Sequence, residues 1–353
     1  MTNKPDFNRL KKVLYRDGEP DVLPLFEYAM DSEIIRAITG KPANPENVAE
    51  MFFKLGYDYV PATVNIPYTF LTNAADDTSV LTTATGKRSF VNENEGIIEN
   101  SDDFDAYLWP VVDGLVAAKV LQAEKCLPDG MKILIDLAPG GILETVMWLM
   151  GYVPFSYALY ENEQLIWDLF ERITGNILKA VKLSLEQPDI GNIGGVMLGD
   201  DMGFNHSTMI SPVLLRKYVF PCQKQVADLV HQHDLPLIMH SCGKLDEIMD
   251  DLIDYVGIDA KHSFEDNIMP ITEAKEKYGH RVALLGGIDM NFLCTAQGNE
   301  IRQYVDNVIK KCAPGGGFAL GTGNSVANYI PLENYLTMID ECRVKGAYPI
   351  VLN

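Results

Sequence analysis

The stretch LPLIMHSCGKLDEI, residues 235–248, contains one complete unit of the predicted fold. Its first six residues form a short apolar run that is typical of a buried strand, and Gly243 permits a tight turn before helical periodicity starts at Leu245. His240 and Cys242 lie where this strand ends. A strand followed directly by a helix is the repeating unit of folds with a parallel sheet.

Seven further apolar runs repeat this pattern, so that eight strands are predicted. Helical stretches such as Pro212 to His233 separate them, and the Met-rich run Val146 to Met150 is typical of the core of such a helix. The runs read as buried on both faces, and there is no GxGxxG or GxxxxGK[ST] motif. The sequence therefore predicts an α/β fold, a closed (β/α)8 TIM barrel, with strands at 21–29, 57–64, 132–137, 194–198, 235–240, 256–262, 282–287 and 317–321.

Between the second and third predicted strands lie residues 65–131, a segment longer than one helix needs. Within it we expect a hairpin over 82–98 and a helix over 101–121. An insertion after a barrel strand lies at the C-terminal mouth, so this segment is predicted to cover the mouth as a partial lid. Because no linker or repeat divides the chain, residues 1–353 are predicted to form a single domain.

The composition excludes several classes of partner. The chain has 29 Lys and Arg against 49 Asp and Glu, and its net charge of −20 repels nucleic-acid phosphate and anionic membrane surfaces. The N-terminal residues lack the apolar stretch of a signal peptide, and the most apolar run, 114–121, is interrupted by Lys119. We therefore expect a cytoplasmic protein without a nucleic-acid or membrane partner.

Polar residues at the ends of the predicted strands should converge on the mouth of the barrel. Most of them are acidic, and because like charges raise each other's pKa, a bound divalent cation would stabilise the cluster. Asp200 and Asp201 are predicted to be catalytic, although one of them could instead cap a helix. The predicted substrate or cofactor contacts are Glu27, Asp136, His262 and Asp289.

His240 and Cys242 are the predicted metal ligands. Residues two apart at a strand end can point to the same side, so the imidazole and the thiolate could share one zinc ion. The alternative is a core histidine beside a small buried cysteine. Glu265 is a candidate for a further ligand, although the FEDN segment around it also reads as an ordinary helix start.

Four spaced blocks of the sequence carry a family resemblance. They are GDDMGF at 199–204 with ISPVLLRKYVFPCQKQV at 210–226, HSCG at 240–243, LLGGIDM at 284–290, and GTGNSVANYIPLENYLTMI at 321–339. In this order they resemble the uroporphyrinogen decarboxylase superfamily, which includes the decarboxylase and cobalamin-dependent methyltransferases. The last block contains Pro331, Glu333 and Asn334 in the family's PxEN pattern. The resemblance implies a (β/α)8 barrel and suggests a homodimer.

Within the superfamily, the resemblance is closer to the methyltransferase branch. The decarboxylase binds the carboxylates of a porphyrinogen with an N-terminal RQAGR-type segment, whereas residues 16–24 here read RDGEPDVLP. The methyltransferase branch binds zinc with an HxC, matched by His240 and Cys242, and with a further Cys where this chain has Asn324 or a neighbour in GTGN, residues 321–324. Asn324 is therefore a catalytic candidate, and Glu265, followed by Asp200 or Asp201, is the expected replacement for the missing thiolate.

The resemblance implies a zinc-dependent methyltransferase. Such an enzyme would move a methyl group between a small-molecule donor or acceptor and a corrinoid, of the methylcobalamin type, on a partner protein. Two alternatives remain open: a uroporphyrinogen-decarboxylase-type decarboxylase, and a non-catalytic barrel that binds a corrinoid or tetrapyrrole. Zinc content measured against porphyrinogen turnover would separate the first two.

Overall fold

A parallel sheet organises the part of the chain that the computed structural model describes, residues 4–76, 87–92, 94–114, 116–138, 140–186 and 188–352. Its strands are β1 (Tyr59–Asn65), β4 (Lys132–Ala138), β5 (Ile193–Gly199), β6 (Leu237–His240), β7 (Ala260–His262), β8 (Ala283–Leu285) and β9 (Phe318–Ala319). These seven strands pair in the order in which they are named. All seven residues of β5 are buried, as its continuous apolar run predicts for a strand covered on both faces.

The first predicted strand, 21–29, does not form as a strand. It makes one isolated parallel bridge to the end of β9, between Leu25 and Leu320, and the N–H of Glu27 donates to the hydroxyl of Tyr59 in β1 at 2.8 Å. Pro24 lies in this segment and has no N–H to contribute to a ladder. The segment therefore contacts both edge strands, so the sheet is curled, but only seven of the eight predicted strands are present among the described residues.

Helices cover the sheet. Those within the described residues are α1 (Asn8–Leu14), α2 (Ser32–Thr39), α3 (Pro45–Lys54), α4 (Ser101–Ala106), α5 (Ala118–Lys125), α6 (Ile142–Met150), α7 (Tyr152–Glu161), α8 (Glu163–Glu186), α9 (Pro212–Leu214), α10 (Phe220–His231), α11 (Ile271–Tyr278), α12 (Met290–Thr295), α13 (Gly298–Cys312) and α14 (Leu332–Lys345). The predicted helix from Pro212 to His233 is confirmed as α9 and α10 joined by a π-helical turn over Leu215–Val219. Buried residues recur every three or four positions along the longest of these helices, α8, which packs against α10.

Within the described ranges, no single helix is long and apolar enough to cross a membrane. The pair α6 and α7, bent by 100° at the break between them, meets that requirement together on length and composition alone.

The segment 65–131 contains an antiparallel hairpin of β2 (Thr72–Asp76) and β3 (Lys87–Val91), followed by α4 and α5. The hairpin begins ten residues before the predicted one, and residues 77–86 between its strands lie outside the described ranges. The single helix predicted over 101–121 is instead two short helices. The segment contacts α6, because the N–H groups of Ile97 and Ile98 both donate to the carbonyl of Leu149 and the ring of Phe70 packs edge-on against Trp148.

Candidate active site at the C-terminal edge of the sheet

Three neighbouring strands end at the same level of the sheet. Gly199 of β5 pairs with His240 of β6, which in turn pairs with His262 of β7. The residues that follow this row leave the sheet together at its C-terminal edge, where functional groups of parallel α/β folds gather. Asp201 follows β5 and Cys242 follows β6, so the register brings their side chains to one place.

Asp201, His240 and Cys242 form a compact cluster in which one ligand atom of each lies within 4.8 Å of the other two. His240 Nε2 lies 3.4 Å from Cys242 Sγ and 3.7 Å from Asp201 Oδ1. The backbone N–H of Cys242 donates to Asp201 Oδ1 at 2.7 Å. Of the carboxylates expected to complete the site, the structure brings Asp201 to the histidine and cysteine, whereas Glu265 lies outside this group of donor atoms.

A chain of hydrogen bonds fixes the tautomer of His240. His262 Nε2 lies 3.2 Å from the carbonyl oxygen of Thr322, which can only accept, so this nitrogen carries a proton. Burial lowers the pKa of His262 to about 3, and the Nδ1 of its neutral ring is therefore an acceptor. His240 Nδ1, 2.8 Å away, must donate to it. Burial also lowers the pKa of His240 well below its usual value, so Nε2 of His240 keeps a lone pair that faces Cys242 and Asp201.

Asn324 lies beside the cysteine with its amide NH2 group towards the sulfur. Its Nδ2 donates to Cys242 Sγ at 3.2 Å, and its Oδ1 accepts the backbone N–H of Ser325 at 2.8 Å. Because that N–H can only donate, the orientation of the amide is fixed. Ser263 Oγ also donates to Cys242 Sγ, at 3.4 Å, so two donors converge on this sulfur.

A buried lysine shapes the loop after β7. Lys261 is 3% exposed, and its ammonium donates to the carbonyls of Ser241, His262 and Ser263 at 3.0, 2.9 and 2.5 Å. Burial lowers the pKa of Lys261 to about 8. The backbone of Ser263 has a φ of +84°, which is uncommon for a residue other than glycine. Lys261 therefore stabilises the conformation that brings the hydroxyl of Ser263 to Cys242.

Asp200 and Asp201 are neighbours in sequence but have different surroundings. Asp200 is fully buried, and it accepts the backbone N–H of Glu144 in the first turn of α6 at 3.1 Å and the amide of Gln223 at 2.7 Å. Burial raises the pKa of Asp200 to about 6. Burial also raises the pKa of Asp201, and burial together with Asp201 and Asp200 raises the pKa of Glu144 well above its usual value. Three carboxyl groups therefore lie close together here, and Asp200 acts as a cap for α6.

A cavity of 370 Å³ opens beside the cluster. Its lining includes Asp201, Cys242, Glu144, Glu265 and Trp148. Among the described residues that line it, none is lysine, arginine or histidine. The cavity is thus acidic and partly aromatic, with the possible metal ligands in its wall.

The remaining predicted contacts do not line this cavity. Glu27 is fully buried and accepts the N–H of Thr322 at 3.0 Å, and burial raises its pKa to about 8. Asp136 lines a separate cavity of 220 Å³. Asp289 accepts an N–H at the start of α12, and His262 lies behind His240.

Sequence reasoning missed several residues at the site, among them Ser263. The ring of Tyr28 stacks on that of His240, with centroids 4.0 Å apart. Glu144 and Trp148 were detectable as residues four apart on one helix face, and Lys261 as a single charge inside an apolar run. Tyr28 follows Glu27 in the predicted first strand, and no pattern in the sequence marks it.

Comparison with known proteins shows the family of the chain. A model of the uroporphyrinogen decarboxylase (URO-D) family matches residues 140–344, more than half of the chain. Uroporphyrinogen decarboxylase from Actinobacillus succinogenes is 27% identical over 188 residues, which are 52% of this chain and 49% of that protein, so the chain spans about half the length of this relative. A methyltransferase from Methanosarcina mazei has the same fold, with a TM-score of 0.68 and 18% identity over 95% of this chain and 97% of that one. The chain therefore belongs to the uroporphyrinogen decarboxylase family.

Proposed function

We propose that the protein is a zinc-dependent methyltransferase that moves a methyl group between a small substrate and a corrinoid on a partner protein. The observation that carries the proposal is the hydrogen-bond chain behind His240, which leaves a lone pair on Nε2 next to Cys242 and Asp201. A metal-binding histidine has the same arrangement, because its other ring nitrogen donates to a neighbour.

The residues present fit a zinc ion. Asp201, His240 and Cys242 supply an oxygen, a nitrogen and a sulfur donor, and zinc accepts all three types. Burial and the charge of Asp201 raise the pKa of the Cys242 thiol, so a nearby cation is needed for the thiolate to form. Three protein ligands are typical of catalytic zinc, which keeps one position open. When bound, the ion would withdraw charge from a substrate thiol or ether oxygen.

Asn324 has a different role in this proposal from that of the missing cysteine. Its oxygen is held by Ser325, so the side chain presents N–H groups to Cys242 rather than a lone pair. Asn324 and Ser263 would stabilise the thiolate by donating to it. Asp201 would supply the third ligand in place of the missing thiolate.

The barrel fold and the segment 65–131 are also part of the proposal. The family and the Methanosarcina neighbour support a methyltransferase of the (β/α)8 type, in which the sheet and the segment 21–29 together enclose the barrel. The contacts of Phe70 and Ile97 with α6 support the segment 65–131 as a partial lid at the mouth. The corrinoid-carrying partner, a homodimeric state and a cytoplasmic location are part of the same proposal and rest on the resemblance and the composition.

The second candidate is a decarboxylase, which is favoured by the 27% identity to uroporphyrinogen decarboxylase. The cavity argues against it, because a porphyrinogen carries many carboxylates and would meet Glu144, Asp201 and Glu265 without a lysine or arginine among the described lining residues. A non-catalytic corrinoid-binding barrel would bind its ligand without turnover.

Metal analysis of protein purified without a His-tag or chelator tests the proposal. We expect about one zinc per chain, methyl transfer to or from a corrinoid, and no conversion of uroporphyrinogen. Cys242→Ala should abolish zinc binding and methyl transfer without loss of the fold, whereas Cys126→Ala, which removes a thiol far from the cluster in sequence and outside the cavity lining, should leave both unchanged. Porphyrinogen turnover by protein that holds no zinc would favour the decarboxylase.

A further inference from the structure

One cavity contains both the metal-ligand cluster and a second set of groups that can recognise a substrate. Asp201 and Cys242 belong to the cluster, and Glu144 and Trp148 reach the same cavity from α6. A ligand in this space would therefore contact the cluster through one end and α6 through the other. The volume of 370 Å³ suits a small molecule.

The α6 wall presents an acid and an aromatic ring on one face. Glu144 and Trp148 are four residues apart and so lie on the same side of the helix, whereas Val146 and Leu149 are fully buried in the core. The indole is held in place, because Phe70 packs edge-on against it with ring centroids 5.5 Å apart. Gly140 also packs closely against the indole, since a Cβ at this position would lie 2.7 Å from the ring. The ring is therefore a rigid surface.

The charges of the cavity favour a cation. Its lining has three carboxylates, Glu144, Asp201 and Glu265, and no cationic side chain among the described residues. A divalent metal held by Asp201, neutral His240 and the Cys242 thiolate would have no net charge as a unit. A ligand would then meet the carboxyl groups of Glu144 and Glu265, which offer acceptor oxygens and which a bound cation would help to ionise. A bound cation relieves the repulsion between carboxylates, and an anion increases it.

We infer that the substrate is a small cation with an ammonium group at one end and a thiol or hydroxyl at the other. The ammonium would bind between the carboxylate of Glu144 and the face of Trp148, since ammonium and methylated ammonium groups bind to aromatic faces. The sulfur or oxygen would face Asp201, His240 and Cys242. This inference names the substrate class of the proposed methyltransferase and rests on that proposal.

Three thiols of similar size and different charge test the inference directly. Cysteamine is a cation at pH 7, 2-mercaptoethanol is neutral, and 3-mercaptopropionate is an anion. Calorimetric titration of the zinc-loaded protein should give affinities in that order, with cysteamine bound at least about tenfold more tightly than 2-mercaptoethanol, or about 1.4 kcal/mol. Equal affinities, or tighter binding of the anion, would overturn the inference.

Substitutions on α6 test whether the residues that this helix contributes to the cavity cause the preference for the cation. Glu144→Gln keeps the size of the side chain and should reduce the preference for cysteamine over 2-mercaptoethanol by about fivefold or more, while the affinity for 2-mercaptoethanol changes little. Trp148→Leu tests the ring independently and should weaken cysteamine most. The matched control is Glu163→Gln, an exposed carboxylate paired with Lys217 on the surface, which should leave the ranking unchanged. Retention of the full preference in both α6 variants would contradict the inference.

A pair of ligands without a thiol separates this inference from the proposed function. Choline and its neutral isostere 3,3-dimethylbutan-1-ol differ in charge and can be titrated into zinc-free protein. Choline should bind at least about tenfold more tightly, whether or not the protein binds zinc or transfers a methyl group. If the charge preference holds in a protein that lacks zinc and methyl transfer, only the proposed function fails. If the protein transfers methyl groups but does not distinguish the two ligands, only the inference fails.

Discussion

Two cavities lie at opposite ends of the sheet, and the larger of the two is not the one beside the cluster of Asp201, His240 and Cys242. A cavity of 570 Å³ is lined by residues at the N-terminal ends of β4, β5 and β6, whereas the cavity of 370 Å³ lies at their C-terminal ends. In the first, several polar groups are engaged in local structure. Lys132 donates to the carbonyl of Gly191, and Glu124 accepts the N–H of Asp189 and the side chain of Asn192.

In the smaller cavity, polar groups are held in place by others and still have atoms free to react. The lone pair on His240 is oriented by His262, and the sulfur of Cys242 accepts from Asn324 and Ser263. We take the convergence of preorganised groups, rather than volume, to mark the end of the sheet at which we propose the active site. In parallel barrels, catalysis belongs to the C-terminal end and stability to the N-terminal end.

The largest effect is expected when the two neighbouring aspartates at the C-terminal end are substituted one at a time. Asp201→Asn should weaken zinc binding by more than about 100-fold, because even partners outside the ligand set contribute 10- to 100-fold. Asp200→Asn should retain zinc and cost about 1 kcal/mol of stability through weaker capping of α6. Zinc titration against a competing chelator and thermal unfolding of both variants measure this. Equal zinc affinity in the two variants would remove Asp201 from the site.

A smaller effect on zinc affinity is expected at His262, which lies behind the proposed metal ligand His240. His262→Phe removes the acceptor that fixes the tautomer of His240, and zinc affinity should fall by about 10- to 100-fold. The control is His231→Phe, since His231 bonds to Asp259 and does not line the cavity. Unchanged zinc affinity in His262→Phe would show that the two rings are not coupled.

Glu27 is expected to make the stability of the folded protein depend on pH. Burial raises its pKa from 4.5 to about 8, so the folded protein binds this proton more tightly than the unfolded chain. The stabilisation is complete below pH 4.5 and is lost as the pH rises through 8. Glu27→Gln should therefore flatten the decline in Tm between pH 6 and 8, relative to wild type and to the exposed-site variant Glu163→Gln. A decline as steep as in wild type would show that Glu27 is ionised in the folded protein.

The smallest effect on function is expected at the N-terminal end. Lys132→Met removes the bond to Gly191 and should cost about 1 kcal/mol or less of stability. Zinc affinity and methyl transfer should not change. If this substitution reduced either one by tenfold with the fold intact, the division between the two ends would be wrong.

The strands with continuous apolar runs were predictable, because burial on both faces leaves a clear pattern, as in β5. The run at 21–29 reads the same way, yet it forms only isolated bridges, since pairing depends on partners and on Pro24 rather than on hydrophobicity alone.

For the site, the spacing of His240 and Cys242 was readable from the sequence, but the choice between Asp201 and Glu265 was not. That choice depends on the register of Gly199 with His240, which no local pattern reveals. The run Val146 to Met150 was expected to be helix core, and the structure confirms this for Val146, Leu149 and Met150. Trp148 lies in the same run but faces the cavity, because which side of a helix is covered depends on its tertiary neighbours.

X-ray absorption at the zinc edge tests the central claim most directly. Protein loaded with one equivalent of zinc should have a single sulfur neighbour at about 2.3 Å and nitrogen or oxygen neighbours at about 2.0–2.2 Å, as expected for Cys242 with His240 and Asp201. Cys242→Ala should remove the sulfur signal. Zinc that has no sulfur neighbour, or a chain that does not retain zinc at all, would contradict the account.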